Sequence, residues 1–186
     1  MREAVSETAI KRLHWGCGSW LPPGWINSDR KEGPGIDICC DIRDGLPLES
    51  GSIDYAVSIH ALPEVPYPDL VPVLKEFRRV LKPKGVLRLG LPDLDKTIQA
   101  YLRKDLNHFQ IPDEDAASLG AKFVVHLVWY GYTRTFFTRD FIEELLLKAG
   151  FGRVSQCGYK ESYSPYPDIV ELDNREEESL FVEAIK

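Results

Sequence analysis

Short apolar runs alternate with amphipathic helical patterns along most of this chain, a rhythm typical of α/β proteins with a mostly parallel sheet. Each run is bounded by turn-forming residues and is short enough to be a single strand. We therefore expect residues 1–186 to form one α/β domain. The predicted strands are Arg12–Trp15, Ile26–Ser28, Ile36–Cys40, Tyr55–Ile59, Val86–Leu91, Val154–Tyr159 and Leu180–Ile185.

Two helices are marked by apolar spacing and by residues typical of helix ends. The first is predicted to begin at Asp69, a candidate N-cap, and to end at the turn Lys82–Gly85. The second is predicted from Thr138, another candidate N-cap, to about Ala149, where Gly150 provides a C-terminal stop. The core-facing stripe of the first helix consists of Leu70, Leu74, Phe77 and Leu81.

Two connections depart from the alternation of strands and helices. Residues 94–137 interrupt it, and an insertion of this size is more often a lid or a substrate-binding cap than part of the core. Only seven residues, Ser19–Trp25, separate Gly18 from Ile26, although a parallel crossover normally needs a dozen or more. We therefore predict that the first crossover is a loop without a helix.

Composition narrows the choice of partners. The 186 residues are 44% hydrophobic and carry a formal net charge of −6. A non-specific nucleic-acid binder needs a positive surface, so we expect no nucleic-acid partner. The sequence has no run of about eighteen apolar residues and no apolar leader, which favours a cytoplasmic protein with no membrane partner.

The four cysteines, at positions 17, 39, 40 and 157, are spaced neither as zinc ligands nor as a disulfide framework. We expect reduced thiols and no metal site. The sequence does not indicate an oligomeric state.

The strongest candidate for a binding site is the turn after the first predicted strand. Glycine has no Cβ, so Gly16 and Gly18 allow a sharp turn and a close approach of the backbone to a ligand. Asp29 follows the second predicted strand, and a carboxylate there can accept hydrogen bonds from a ribose diol. This arrangement predicts a ligand that contains adenosine.

A nicotinamide cofactor fits the same stretch less well. Leu21 stands where the third glycine of the dinucleotide-binding pattern would be, and Asp29 lies well short of the usual interval of about 20 residues. The sequence therefore gives little support to a nucleotide-dependent oxidoreductase.

The order of these pieces resembles the class I S-adenosylmethionine-dependent methyltransferases, and more narrowly a group of small bacterial-type methyltransferases. The resemblance covers nearly the whole chain. Its clearest parts are Gly16-Cys17-Gly18, Trp25–Asp29 and the segment Arg79–Gly85. It implies a Rossmann-like, mostly parallel seven-stranded sheet with an antiparallel last strand, an abbreviated first crossover and a helical insertion.

The resemblance also implies S-adenosylmethionine as cofactor and assigns site residues. Backbone groups of Gly16, Cys17 and Gly18 would contact its methionine part, and Asp29 would hold the ribose. Asp41 and Ile42 would meet the adenine, while Ser58 to His60 would line the side of the methyl group. From the residues alone, Asp41 could equally be a helix cap.

Methyl transfer to a hydroxyl also needs removal of a proton, typically by a positioned base. His60 is the first candidate for a general base because its strand end faces the expected cleft, and His126 in the insertion is the second. A structural role for His60 is as well supported. Possible contacts to the acceptor are Tyr130, Tyr132 and Arg134. The acidic composition and the compact insertion favour a small-molecule acceptor, for example a sugar or another biosynthetic intermediate.

Two departures from the group's pattern leave a second function open. The group usually reads His-x-Leu-Glu-His after the fourth strand, whereas this chain has Pro63 and Glu64 in the last two positions. Lys84 also replaces a glycine of the Pro-Gly-Gly turn. The alternative is therefore a non-catalytic or regulatory protein that retains the fold and the cofactor.

Overall fold

One seven-stranded sheet organises the computed structural model, which describes residues 9–186. The strands lie in the order β3-β2-β1-β4-β5-β7-β6. Strand β7 runs antiparallel to both of its neighbours, and the other paired strands are parallel. This confirms the predicted fold class. The strands are β1 (Arg12–Trp15), β2 (Ile26–Asp29), β3 (Ile38–Cys39), β4 (Ile53–Ile59), β5 (Leu81–Pro92), β6 (Arg153–Cys157) and β7 (Ser179–Ile185).

The largest difference from the predicted strands lies at the start of β4 and β5. Both begin earlier than predicted because Ile53 pairs with Leu81. The register then shifts, and regular pairing resumes between Tyr55 and Val86. The turn predicted to end the first helix is thus part of an irregular strand entrance.

Four α-helices accompany the sheet: α1 (Leu70–Val80), α2 (Leu94–Leu102), α3 (Leu119–Val128) and α4 (Arg139–Lys148). Helices α1 and α4 bury their apolar sides against one face of the sheet, in one continuous core. Helices α2 and α3 lie within the predicted insertion. No helix among residues 9–186 is both long and apolar enough to cross a membrane.

Both predicted N-cap side chains bond elsewhere. Asp69 precedes α1, but its carboxylate accepts a hydrogen bond from Arg43 at 3.5 Å instead of from the helix backbone. Thr138 precedes α4 and donates its hydroxyl proton to the Asp140 carboxylate. In both cases a charged side chain competes with the orphan amides of the first turn.

The first crossover contains no helix, as predicted. The chain turns back directly after β1, and the amides of Gly16 and Cys17 both donate to the carbonyl oxygen of Ser28, at 2.8 and 3.1 Å. Arg12 holds the far side of the loop, with its Nε 2.9 Å from the carbonyl oxygen of Gly24. These bonds replace those that a helix would have supplied.

The opposite face of the sheet is covered by residues 158–178, which we call the strap. The strap contains two short 3₁₀ turns, Pro167–Val170 and Glu176–Glu178, and buries Ile169 and Leu172 against the strands.

A buried ion network fastens the strap to the sheet. The guanidinium of Arg88 on β5 is fully buried and donates twice to Asp173, at 2.7 and 2.5 Å, and once to Glu183 at 2.8 Å. Its remaining bonds go to the carbonyl oxygens of Gly158 and Glu161. The planar guanidinium is thus bonded on every side, which is the condition under which a buried charge is tolerated.

Candidate functional site

The two glycines of the turn at the end of β1 differ in the space around them: Gly16 is closely packed, and Gly18 is not. Gly16 and Gly18 have φ of 69° and 56°, in the left-handed region that favours glycine. A Cβ on Gly16 would overlap the methyl group of Ala61, whereas a Cβ on Gly18 would meet nothing within 4 Å. Gly18 therefore borders open space next to the backbone, where a ligand can approach closely.

Asp29, at the end of β2, lies directly beside this turn. Its Oδ2 accepts the amide of Gly18 at 2.9 Å, and its Oδ1 accepts the amide of Lys31 at 2.9 Å. A carboxylate oxygen can accept more than one hydrogen bond, so both oxygens keep capacity for ligand hydroxyls. The predicted glycine hinge and carboxylate thus lie together on neighbouring strands.

Asp41 is a helix cap, one of the two roles considered for it, and its side chain also borders a cleft. It is the N-cap of a short 3₁₀ turn, Ile42–Asp44, and accepts the Arg43 amide at 3.0 Å. The Arg43 guanidinium binds the same carboxylate, with Nη2 2.6 Å from Oδ2, and lowers the pKa of Asp41 to about 2. Asp41 and the buried Ile42 also line the cleft described next.

A cleft of about 590 Å³ opens at the carboxyl ends of β1, β2 and β4, within the range of small-molecule sites. Five of the seven predicted cofactor residues line it: Gly16, Gly18, Asp29, Asp41 and Ile42. The other two, Cys17 and Ser58, have buried side chains that do not line it. Burial raises the pKa of the Cys17 thiol to about 11.

A second cavity of about 260 Å³ adjoins this cleft. The two share Ile59, His60 and Glu64, at the end of β4. The insertion supplies much of the second cavity's wall, including the aromatic side chains of Trp129, Tyr132 and Phe136. We call this cavity the second pocket.

His60 stands at the junction of the two cavities with φ of 56°. Its Nε2 lies 2.7 Å from Ser179 Oγ, and its Nδ1 lies 3.5 Å from Arg175 Nη1. Arginine can only donate, so Nδ1 is the acceptor nitrogen and Nε2 carries the proton. Burial, with the charge of Arg175 and the neighbouring His126, lowers the pKa of His60 to about 3. His60 is thus neutral, and its lone pair is directed at Arg175.

His126 lines the second pocket and not the cleft. Its Nε2 is 3.5 Å from Thr97 Oγ1, and its Nδ1 is buried without a hydrogen-bonding partner among residues 9–186. Burial, with neighbouring His108 and Arg175, lowers its pKa to about 4. His60 and His126 therefore face one pocket, both uncharged at neutral pH.

The strap contributes two residues that the sequence analysis missed, Arg175 and Glu178. The Arg175 guanidinium lies over the Trp129 ring at 5.5 Å, and its Nη1 is 3.3 Å from Glu178 Oε1. Topology could have revealed them: an antiparallel β7 begins at the edge where the parallel strands end. Residues just before β7 therefore reach the site.

The three predicted acceptor contacts separate. Tyr132 lines the second pocket, and Arg134 lines the cleft. Tyr130 lines neither and donates its hydroxyl proton to Asp115 at 2.6 Å. Within residues 9–186, no three His, Cys, Asp or Glu side chains are grouped so that they could hold a metal ion.

Comparison with known proteins relates part of the cleft to a known domain. Residues 21–89 match a family model described as a methyltransferase domain, and this range includes Asp29, Asp41 and His60. No curated protein matches the sequence.

Solved structures share the fold over nearly the whole chain. An S-adenosylmethionine-dependent methyltransferase of Thermotoga maritima, described as a possible histamine N-methyltransferase, is 20% identical with a TM-score of 0.59, over 96% of this chain and 83% of that chain. One from Archaeoglobus fulgidus is 12% identical with a TM-score of 0.62, over 95% and 86%. One from Mesorhizobium loti is 18% identical with a TM-score of 0.54, over 95% and 91%.

The space left open at Gly18 and the remaining acceptor capacity of Asp29 leave room in the cleft for a ligand with hydroxyl groups. The methyltransferase-domain match over residues 21–89, in a chain that shares its fold with solved S-adenosylmethionine-dependent methyltransferases, indicates a methyltransferase that uses S-adenosylmethionine.

Proposed function

We propose that this protein methylates a small molecule that binds in the second pocket while the cofactor occupies the adjoining cleft. The observation that carries the proposal is the shared boundary of the two cavities at Ile59, His60 and Glu64. A methyl donor in one cavity and an acceptor in the other would meet at this boundary. The second pocket, at about 260 Å³, suits a compact acceptor such as a sugar or another biosynthetic intermediate.

Different residues of the cleft would bind different parts of the cofactor. Asp29 would receive the ribose hydroxyls, and Asp41 with Ile42 would meet the adenine. Backbone groups of the turn at Gly16, Cys17 and Gly18 would hold the methionine part, and the segment Ser58 to His60 would line the methyl side. The open space beside Gly18 and the free acceptor capacity of Asp29 support this division.

When bound, S-adenosylmethionine supplies a methyl group bonded to a positively charged sulfur. The thioether that forms when this bond breaks is a good leaving group. The protein's task is then to align the acceptor and to exclude water. Alignment alone can lower a barrier by roughly 7–11 kcal/mol in well-ordered systems. The wall supplied by the insertion, with Trp129, Tyr132 and Phe136, supports such a role.

His60 and His126 remain our candidates for a general base. A base must have a free lone pair within reach of the proton that it removes. Since the His60 lone pair faces Arg175, Arg175 would first have to move away. His126 has a free Nδ1, but it lies only in the second pocket.

We also propose a cytoplasmic protein without a nucleic-acid partner, on the acidic composition. The alternative, a cofactor-binding protein that does not turn over, is supported by the engaged lone pair of His60. Transfer of a labelled methyl group from S-adenosylmethionine to any small acceptor would exclude this alternative.

Calorimetric titration with S-adenosylhomocysteine, the demethylated cofactor, tests the cleft. We expect binding, with no binding of NAD. Asp29→Asn should weaken binding about tenfold or more, because hydrogen bonds to a charged group contribute about 1.5–3 kcal/mol each. Asp44→Asn is the matched control, since Asp44 is exposed and does not line the cleft. No binding to the unsubstituted protein would refute the proposed function.

A further inference from the structure

The polar groups of the second pocket are rich in unfilled hydrogen-bond acceptors. Glu178 is 8% exposed, yet in residues 9–186 its carboxylate accepts only from Arg175, at a distance of 3.3 Å. Arg175 Nη1 is itself shared with His60 Nδ1 at 3.5 Å. A buried carboxylate normally accepts several hydrogen bonds. The second oxygen of Glu178 accepts none from residues 9–186, so a ligand could donate to it.

His126 adds a second unfilled acceptor. The Thr97 hydroxyl donates to the Asp93 carbonyl oxygen at 2.9 Å, so Thr97 can only accept from His126 Nε2. The proton of His126 is therefore on Nε2, which leaves Nδ1 as a buried acceptor without a partner. Glu178 and His126 can therefore both accept hydrogen bonds from a ligand that carries N–H or O–H groups.

Glu64 is the carboxylate at the junction of the two cavities. It ends the short 3₁₀ turn Leu62–Glu64. The insertion fixes this turn, because the amides of Arg134 and Thr135 both donate to the Pro63 carbonyl oxygen, at 2.8 and 3.1 Å. Among residues 9–186, the Glu64 carboxylate has one long ion pair, with Arg30 at 3.3 Å. Its oxygens are therefore available to a group at the junction.

The charges and the aromatic walls favour a positively charged acceptor over an anionic one. Two carboxylates and one guanidinium line the second pocket, and both of its imidazoles are neutral. Trp129, Tyr132 and Phe136 supply aromatic side chains to its wall, and aromatic rings attract cations. Arg175 already packs on Trp129 in this way.

Resting on the proposed function, we propose that the acceptor is a small primary or secondary amine with an apolar or aromatic body, methylated on nitrogen beside Glu64. The amine binds as its ammonium ion, which first gives one proton through Glu64 to solvent and so frees the nitrogen lone pair. This lone pair forms the new N–C bond, the C–S bond breaks, and its electron pair remains on sulfur. The positive charge thus moves from sulfur to nitrogen, where the Glu64 carboxylate stabilises it.

This chemistry fits the groups present better than methylation of a hydroxyl does. A hydroxyl needs a base to take its proton as the bond forms, and the lone pair of His60 at the junction is engaged by Arg175. An ammonium ion can give its proton to Glu64 before the N–C bond forms, and the amine then attacks with its own lone pair, so the lone pair of His60 is not needed.

Three small probes that share one ring test the proposal. 2-Phenylethylamine, 2-phenylethanol and phenylacetate differ in the group they present: an amine, a hydroxyl and a carboxylate. Each is titrated by calorimetry into the full chain saturated with S-adenosylhomocysteine. We expect 2-phenylethylamine to bind at least tenfold more tightly than the other two. It should also accept a labelled methyl group from S-adenosylmethionine.

Two variants test which carboxylates are responsible for the preference for the amine. Glu178→Gln keeps the shape of the side chain, does not line the cleft, and should remove most of the preference for the amine while S-adenosylhomocysteine binding is unchanged. Glu64→Gln should lower kcat for the amine by tenfold or more. Glu177→Gln is the matched control, because Glu177 is an exposed neighbour that lines neither cavity.

The outcomes separate the two proposals. Equal or tighter binding of the alcohol or the carboxylate, or no binding of any probe to protein that binds S-adenosylhomocysteine, would overturn the amine assignment and leave the proposed function standing. An unchanged preference in Glu178→Gln together with unchanged kcat in Glu64→Gln would also overturn it. Failure to bind S-adenosylhomocysteine would instead refute the proposed function.

Discussion

At the scale of single residues, Gly16 and Gly18 are glycines for different reasons, which the sequence alone cannot distinguish. Gly16 is required by its neighbour, because Ala61 fills the space where a Cβ would stand. Gly18 has the same kind of backbone conformation but faces open space. The first glycine therefore serves packing, and the second leaves the cleft open.

Substitution by alanine should reveal this difference. Gly16→Ala combines a left-handed alanine with an overpacked contact and should cost about 2–4 kcal/mol of unfolding free energy, measured in urea. Gly18→Ala should cost only about 1–2 kcal/mol, from its backbone conformation. It should nevertheless weaken S-adenosylhomocysteine binding, since its methyl group enters the cleft.

Ala61→Gly provides the control for Gly16→Ala, because the double variant restores the lost space. We expect the double variant to recover part of the stability that Gly16→Ala loses. Equal stability losses for Gly16→Ala and Gly18→Ala would contradict the assigned contact with Ala61.

Lys84 is strained by its backbone. It has φ of 64°, in the left-handed region that favours glycine, at an exposed position. We expect Lys84→Gly to stabilise the protein by about 0.5–1 kcal/mol, because the relief of strain exceeds the added entropy of the unfolded chain. Thermal unfolding measures this. Lys75→Gly, inside α1, should destabilise it by a similar amount.

At the scale of elements, the strap is fastened chiefly by Arg88. Breaking a buried ion pair leaves uncompensated charges and typically costs 3–5 kcal/mol. We expect Arg88→Met to lose about that much in urea unfolding, since Asp173 and Glu183 would both remain buried. Lys148→Met, which removes an exposed pair with Glu144, should change stability by less than about 0.5 kcal/mol. Similar losses in both variants would argue against a dominant role of the network.

The sequence predicted the elements whose signals are local. Apolar runs located the sheet strands, and the stripe through Leu70 and Leu74 located α1. The strap gave no such signal, because its order depends on a bond between Arg88 and Asp173, 85 residues apart in the chain. An arginine in a predicted buried strand was the one hint that an acidic partner must lie elsewhere.

The site was predictable to the same degree. Glycines and acidic residues at the ends of parallel strands indicated the cleft, since their positions follow from the strand pattern. Arg175 and Glu178 could not be assigned, because their approach depends on the direction of β7 and on the path of the strap. The state of His60 likewise depends on Arg175, a residue 115 positions away.

At the scale of the whole molecule, all four histidines have lowered pKa values. The pKa is about 4 for His14, about 3 for His60 and about 4 for His126, and that of His108 is also lowered; burial is the main cause in each case. The folded state therefore keeps these side chains uncharged. Below the pKa of an unfolded histidine, near 6.5, the unfolded chain binds more protons than the folded one.

Stability should consequently fall as the pH drops from 7 to 5.5. Each fully buried histidine is expected to contribute a loss of about 1 kcal/mol over this interval, in which carboxylates stay ionised. Urea unfolding at the two pH values measures the loss. His14→Gln removes one such group, at a buried position away from both cavities, and should reduce the pH dependence. Equal stability of the unsubstituted protein at both pH values would contradict buried neutral histidines.

The reversed direction of the last strand also has a consequence for engineering. It brings the end of the strap to the second pocket, which we propose binds the acceptor, while the cleft that we propose for the cofactor is lined by residues between 15 and 67 and by Arg134. Chimeras that exchange only the strap between related enzymes should therefore alter which acceptor is used without altering the methyl donor. Such grafts need to retain an acidic residue at position 173, because the transplanted segment must still meet Arg88.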